Sequence, residues 1–306
     1  MIYDFFAGFP DKSLKCDEWT QIMGEYASAI QKRDKDKERS LSKKTIQCIP
    51  SKVFERNYSL FSSFDIEKTP DISALPLYSF MIHFKFKLAK PYLSHDDKVF
   101  YPNEENSLRK EKVFKLPMIS PSSWKGNLRA ALRVELADND PAMVRLFGSS
   151  KQEEAGSLHS GRLVIYPSFF KRLGREVINP HDRVTKAGRK ERAPIFFEVV
   201  PVDSGESNFT LIYIPCLYID GRETKDLKME VKEDLFLVAK GLREMLLNYG
   251  FSAKKTSGYG AAKNDIRDGI VVLKRPDDNN KPLQKEVVFC QLSQLPDQAK
   301  ELVEGW

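Results

Sequence analysis

Lys254 and Lys255 lie among Ser252, Thr256 and Ser257, bracketed by glycines 250, 258 and 260, in the stretch Gly-Phe-Ser-Ala-Lys-Lys-Thr-Ser-Gly-Tyr-Gly-Ala-Ala. Ammonium groups, hydroxyls and glycine amides unshielded by a Cβ are the groups that hold phosphate oxygens. The expected chemistry is recognition of a polyanion, with Ser252, Lys254, Lys255, Thr256, Ser257, Gly258, Tyr259 and Gly260 as contacts. The same composition also suits a glycine C-cap at Gly250 followed by an ordinary flexible connection.

Two other stretches carry compatible chemistry. In Ser-Pro-Ser-Ser-Trp-Lys-Gly-Asn-Leu-Arg, residues 120–129, Ser122 or Ser123 reads as a helix N-cap, and Lys125, Arg129 and Arg133 recur every four residues along one face. The free amides of that first turn form a phosphate seat, although capping alone accounts for the serines. Between Arg162 and Arg192 nine basic residues face three acidic ones, an excess of +6 equal to that of the whole chain. His181 and Arg183 belong to this segment. Such a run is either a solvated face or a nucleic-acid footprint.

With 306 residues and 41% hydrophobic content the chain can bury one large core or two modest ones. No apolar run approaches the roughly 18 residues of a membrane span, and the start, Met-Ile-Tyr-Asp-Phe-Phe, lacks a basic n-region, so a cytoplasmic protein is expected. Cys16, Cys48, Cys216 and Cys290 are widely spaced, which predicts buried free thiols rather than a zinc site or a disulfide framework. His83, His95, His159 and His181 show no ligand spacing.

The elements that must position these groups follow from periodicity. Residues 1–75 read as an N-terminal extension: a helix over Glu18–Gln31 runs into the mixed-charge tract Lys32–Arg39, and Ile49-Pro50 and Lys68-Thr-Pro70 punctuate loops. Tyr78 to Leu88 alternates strictly, with Tyr78, Phe80, Ile82, Phe84, Phe86 and Leu88 on one face, which predicts a strand with one buried side. Helices are expected over 122–136, 141–148 and 232–249, the second lying between the others in sequence. Strands are expected at Gly161–Tyr166 and Ile270–Leu273, with a hairpin joining Pro194–Pro201 to Phe209–Pro215. The 281–306 tail reads as a strand plus a short helix packed on the main domain. Strand, helix, strand, hairpin, helix, strand is the order of a ferredoxin-like (RRM-like) α+β sandwich, whose open sheet face commonly holds single-stranded RNA.

Four separated motifs then agree with one family. Pro-Met-Ile-Ser-Pro-Ser-Ser-Trp-Lys-Gly-Asn-Leu-Arg (117–129), Leu-Phe-Gly (146–148) followed by Gly-Arg-Leu-Val (161–164), Asn-Pro-His-Asp-Arg-Val-Thr (179–185) with Phe-Glu-Val-Val-Pro (197–201), and the 252–260 loop resemble signatures of the RAMP superfamily (repeat-associated mysterious proteins) of CRISPR systems. The resemblance covers roughly residues 76–275, with a basic insertion at about 162–193. It implies a guide-RNA-binding subunit of a type III CRISPR-Cas ribonucleoprotein effector complex in antiviral defence, with guide RNA (crRNA), target RNA and other effector subunits as partners. Asn-Pro-His and Ala-Lys-Lys-Thr-Ser-Gly-Tyr-Gly look closer to the subunit capping a Cmr-type filament, while Asp-Arg-Val-Thr and Phe-Glu-Val-Val-Pro also suit the repeated backbone subunit. Ser120-Pro121 departs from the usual Pro-Gly, and residues before 76 have no counterpart in the family.

The resemblance also implies RNA contacts at Ser122, Ser123, Lys125, Arg129, Arg162, His181 and Arg183, besides the loop. In cleaving backbone subunits an aspartate about twelve residues before the first motif takes part in metal-dependent cutting. The corresponding position here is Glu105, a candidate catalytic carboxylate that would hold Mg2+ or orient a 2′-hydroxyl; without cutting no cofactor is expected. Two alternatives remain. One is a CRISPR-repeat endoribonuclease maturing guide RNA with His83, His95 or His181 as general acid or base, and the other a sequence-tolerant single-strand binder.

Overall fold

The alternating run becomes strand β1, Phe80–Lys87, at the centre of a five-stranded antiparallel sheet in a computed structural model. The structure describes residues 25, 28–29, 31–37, 51–95, 106–149, 160–178, 195–215, 224–255, 258–277 and 279–304. Glu105, His159, His181, Arg183, Thr256, Ser257, Cys16, Cys48, Cys216 and most of the 18–31 stretch lie outside the described residues.

The chain divides into two compact units, Met1–Val53 and Phe54–Trp306. In the first, Ala29 is buried and its carbonyl accepts the Asp34 amide at 3.0 Å. Helix α1, Ser51–Ser62, for which the sequence gives no expectation, forms between the Ile49-Pro50 and Lys68-Thr-Pro70 breaks. In the larger unit β1 is followed by β2 (Met118–Ile119), α2 (Pro121–Leu132), α3 (Pro141–Phe147), β3 (Leu163–Ile165), β4 (Ser168–Phe169), β5 (Gly174–Ile178), β6 (Ile195–Val199) and β7 (Glu206–Tyr213). Helix α4, Thr224–Glu244, closes with a π-helical turn, Met245–Tyr249, and β8 (Asp265–Pro276), β9 (Pro282–Gln291) and α5 (Leu295–Val303) complete the unit.

The sheet order is β3-β7-β1-β8-β9. Taking β1, α2, β3, β7, α4 and β8 in sequence gives the β-α-β-β-α-β ferredoxin-like arrangement, α+β in class, with β9 added at one edge. The register stacks Phe80 against Tyr213 and Phe84 against Phe209, ring centroids 4.5 and 4.9 Å apart. Trp124 of α2 meets Phe209 edge-on at 5.1 Å, and Leu235, Val238 and Leu242 of α4 complete the same buried cluster. Burying each such side chain contributes about 1.5–3 kcal/mol, so this face is the main source of stability.

Several expectations are corrected. The N-cap of α2 is Ser120, whose Oγ accepts the Ser123 amide at 3.2 Å, with Pro121 in the first turn; neither Ser122 nor Ser123 caps. Helix α4 starts at Thr224 rather than Lys232. The hairpin between 194–201 and 209–215 does not form, because β7 has both edges taken, by β1 and β3, and β6 pairs instead with β5. Cys290 is exposed rather than buried.

The outer face of the sheet is also covered in part, over β1, β7 and β8. Ile72 and Leu75 pack on Met81, Ile212 and Val272, Lys274 Nζ donates to the Ser73 and Leu75 carbonyls at 2.5 and 2.6 Å, and Asn208 Nδ2 donates to the Glu67 carbonyl at 3.2 Å. Residues 67–75 thus form a strap across the strands. The expected seat for single-stranded RNA on that face is covered by this strap, and His83, on the more polar face of β1, is buried there against Thr210.

Candidate nucleic-acid interface

The glycine-rich loop lies at the end of the sheet where β1 finishes. Beyond Lys87 the chain bridges Leu88 to Ala262, and the 250–262 loop folds back onto residues 89–93. Gly250 ends α4 at φ +75. The Phe251 amide donates to the Gly260 carbonyl at 2.9 Å, the Gly260 amide to Pro91 O at 2.7 Å and the Ala253 amide to Leu93 O at 3.0 Å. Gly260 holds φ +69 in a space where a Cβ would lie 2.7 Å from Ser252 N, so glycine is required there.

This bonding changes the expected role of three loop residues. Ser252 is buried, and its Oγ both accepts the Leu93 amide and donates to the Leu93 carbonyl, each at 2.9 Å. Its hydroxyl clamps the loop to the 91–93 segment rather than facing a ligand. The amides of Gly258 and Gly260 are spent on Lys255 O, at 2.8 Å, and on Pro91 O. Among its described residues the loop therefore offers side chains and the open space beside Gly258 rather than the Gly258 and Gly260 amides.

The first turn of α2 lies against this loop. Asn127 Nδ2 donates to Ser123 O at 2.9 Å and to Phe251 O at 3.1 Å, and the Trp124 and Phe251 rings sit 4.8 Å apart. Trp124 Nε1 donates to Ser168 Oγ at 3.0 Å, which fixes the helix from its other side. Ser122 is exposed beside Ser120 Oγ at 3.0 Å, and Ser123 Oγ lies 2.9 Å from the same cap. Lys125 folds inward to Leu163 O at 3.3 Å, and burial, reinforced by Arg129, lowers its pKa. Arg129 and Arg133 share Asp138, at 3.4 and 2.6 Å, so one of their two charges is offset toward the far end of the helix.

The base of the basic segment reaches the loop too. Lys254 Nζ lies 4.4 Å over the ring of Phe197 in β6, a cation–π contact. Tyr259 donates to Glu176 of β5, and that hydrogen bond, with burial, pushes the phenol up to about 12. Lys255 is partly buried, and desolvation lowers its pKa. Residues 179–194 of this segment, with His181 and Arg183, lie outside the described residues, as does Glu105. Glu105 adjoins Asn106, whose carbonyl accepts the Glu198 amide of β6 at 3.2 Å.

Arg162 is elsewhere. It precedes Leu163, which pairs with Tyr213 and so with the Phe80 end of β1, about 26 Å along the strand from Leu88 at roughly 3.3 Å per residue. Its guanidinium is buried, donating to Tyr213 Oη and Glu230, both at 2.8 Å, with Asp234 at 3.7 Å. It is a core ion-pair residue, and the expectation that it contacts RNA is corrected. Asn127, Phe197 and Glu176 were missed as site-building residues. An asparagine inside a helix favours competing hydrogen bonds, which is the one available signal for Asn127.

Among the described residues no group of three or more His, Cys, Asp and Glu side chains is placed to hold a metal ion, and no helix is long and apolar enough to cross a membrane. The Mg2+ expectation rests on Glu105 alone.

The family model of the RAMP superfamily matches residues 99–263. No curated protein matches the chain. Similar solved chains include one described as "Cryo-EM structure of the Type III-B Cmr-beta bound to cognate target RNA", at 15% identity and TM-score 0.46, covering 79% of this chain and 76% of that one. Another is from "CRISPR RNA-guided surveillance complex", at 13% identity and TM-score 0.48, covering 74% and 98%. A third is from "Type IV-B CRISPR Complex", at 11% identity and TM-score 0.37, covering 62% and 90%.

Proposed function

The chain belongs to the RAMP superfamily, and from that premise we propose that it is a guide-RNA-binding subunit of a type III CRISPR ribonucleoprotein effector complex. Its partners are then guide RNA, target RNA and neighbouring effector subunits, and it works in the cytoplasm in antiviral defence. The observation that carries the reading is convergence: the α2 first turn, the 250–262 loop and the β5–β6 ribbon meet at one end of the sheet through Asn127, Phe251, Lys254 and Tyr259. Motif agreement across residues 117–260 supports the type III assignment.

In this reading Lys254 and Lys255 contact phosphates, with Ser122, Ser123 and the space beside Gly258 lining the path of the strand. Burial lowers the pKa of Lys255, and an approaching phosphate opposes that by favouring the ammonium form. Of the histidines that could act as acid or base in guide maturation, His83 is buried against Thr210 and is not placed to reach RNA; His95 is exposed and His181 lies outside the described residues.

The test is RNA affinity of Lys254→Ala/Lys255→Ala as a function of salt. Losing two phosphate contacts should weaken binding and flatten the log–log salt slope by about 1–2. An unchanged slope would remove the loop from the interface.

A further inference from the structure

Glu198 and Lys110 form an ion pair in the interior, joining β6 to the segment that leaves residue 106. Both side chains are almost fully buried, at 2% and 6% exposure. The same Glu198 oxygen accepts the Leu108 amide at 2.9 Å, while its other oxygen, also buried, has no hydrogen-bond partner. A buried pair with an unsatisfied oxygen is a poor way to gain stability, since well-packed apolar residues of similar volume commonly do as well or better. What such a pair supplies is direction.

That direction matters because side chains alternate along a strand. Glu198 points inward to Lys110, and its neighbour Phe197 presents its ring to Lys254. Two residues further on, Val200 exchanges both backbone hydrogen bonds with Tyr92, at 2.9 and 3.0 Å, and the adjacent Leu93 is the clamp for Ser252. β6 and the 91–93 segment thus both bear on where Lys254 sits, beside the Tyr259 amide, which donates to Lys254 O at 3.4 Å.

We propose that Glu198 and Lys110 are positioning residues for RNA binding: their buried ion pair sets the register and tilt of β6, and so holds the Lys254 ammonium over Phe197 in its phosphate-binding place. This rests on the RNA reading above. The pair touches no RNA and acts only through Lys254.

The experiment is a double-mutant cycle on the full chain with single-stranded repeat RNA. Lys110→Met/Glu198→Leu removes the charges at similar volume; Lys110→Met/Glu198→Gln, which keeps an acceptor for the Leu108 amide, replaces it if the first does not fold. The expected result is a roughly tenfold loss of affinity and a salt slope lowered by about 1, as for Lys254→Ala, with circular dichroism unchanged. In the Lys254→Ala background the pair change should cost nothing more, which a merely structural role would not produce. Unchanged affinity in the folded pair variant, or a loss fully additive with Lys254→Ala, overturns the inference alone. Unchanged affinity of Lys254→Ala itself overturns the RNA reading and this inference with it.

Discussion

Replacing Asp234 by Ala tests the account of the interior most severely. The carboxylate is fully buried on α4 and accepts Arg145 Nη2 at 2.8 Å, Arg145 Nε at 3.2 Å and Tyr213 Oη at 2.7 Å, with Arg162 at 3.7 Å. Burial raises its pKa, and the two guanidiniums and the phenol oppose that. Deleting it leaves Arg145 and Arg162 with Glu233 and Glu230, both nearer solvent, and takes the acceptor from the Tyr213 hydroxyl proton. Breaking a buried pair on one side costs about 3–5 kcal/mol. By contrast the exposed Lys240–Glu135 pair, at 2.6 Å, should yield no more than about 1 kcal/mol when broken by Glu135→Ala. Urea unfolding followed by circular dichroism reads both as midpoint shifts at constant slope. A loss below about 1 kcal/mol for Asp234→Ala would mean that this network is not structural. Arg162 would then be open again to another role.

Three further outcomes follow from single sites. Gly161→Ala places a Cβ 2.5 Å from Leu146 O and 2.6 Å from Gly148 N, so overpacking should cost about 1–3 kcal/mol or more, and a wild-type unfolding midpoint would refute the close approach. His83 has its pKa lowered by burial and secondarily by Lys85, with Asp268 opposing. Below its unfolded value of about 6.5 the unfolded chain takes up a proton that the folded chain refuses, so stability falls as pH drops from there to the folded pKa. His83→Asn should remove that part of the slope, and parallel stability curves for the two proteins between pH 5 and 8 would contradict it. Ile72→Ala, in the strap, should cost about 2–4 kcal/mol by opening a cavity over Met81, Ile212 and Val272; a loss near zero would mean that the strap is not bound in solution.

Much of the fold was readable because it is written in periodicity. The β1 alternation, the α3 bounds and the strand-plus-helix tail needed only local signals. Partners were harder: β6 reads as a strand whichever neighbour it takes, and nothing local shows that β7 is already enclosed by β1 and β3. Alternation in β1 also suggests a wet outer face, yet Met81 and His83 are buried there, Met81 against Ile72 and Leu75, which lie just upstream in a stretch with no strand pattern. Helix α1 carried a weak signal in Tyr58 and Phe61, three residues apart, which pack toward Phe114 and Phe169.

Within the candidate site, the loop and the start of α2 were legible from composition, since cations, hydroxyls and glycines cluster there. Arg162 was misplaced because a count of charges cannot tell a solvated guanidinium from a buried one. The corrective signal lay in α4, where Asp234 falls on the apolar stripe of Val231, Leu235, Val238 and Leu242. An acid at such a position needs a buried basic partner. Ser252 likewise reads from composition as a ligand contact, whereas its burial beside Leu93 makes it a clamp.

Where RNA touches this chain is most directly measured by photocrosslinking 4-thiouridine-labelled single-stranded RNA to the full-length protein and sequencing the modified peptides. Crosslinks should concentrate in residues 254–260 and around Ser122 and Ser123, and weaken with salt. Crosslinks concentrated instead on the strap at 67–75, or on the Arg162 end of the sheet, would contradict the interface described.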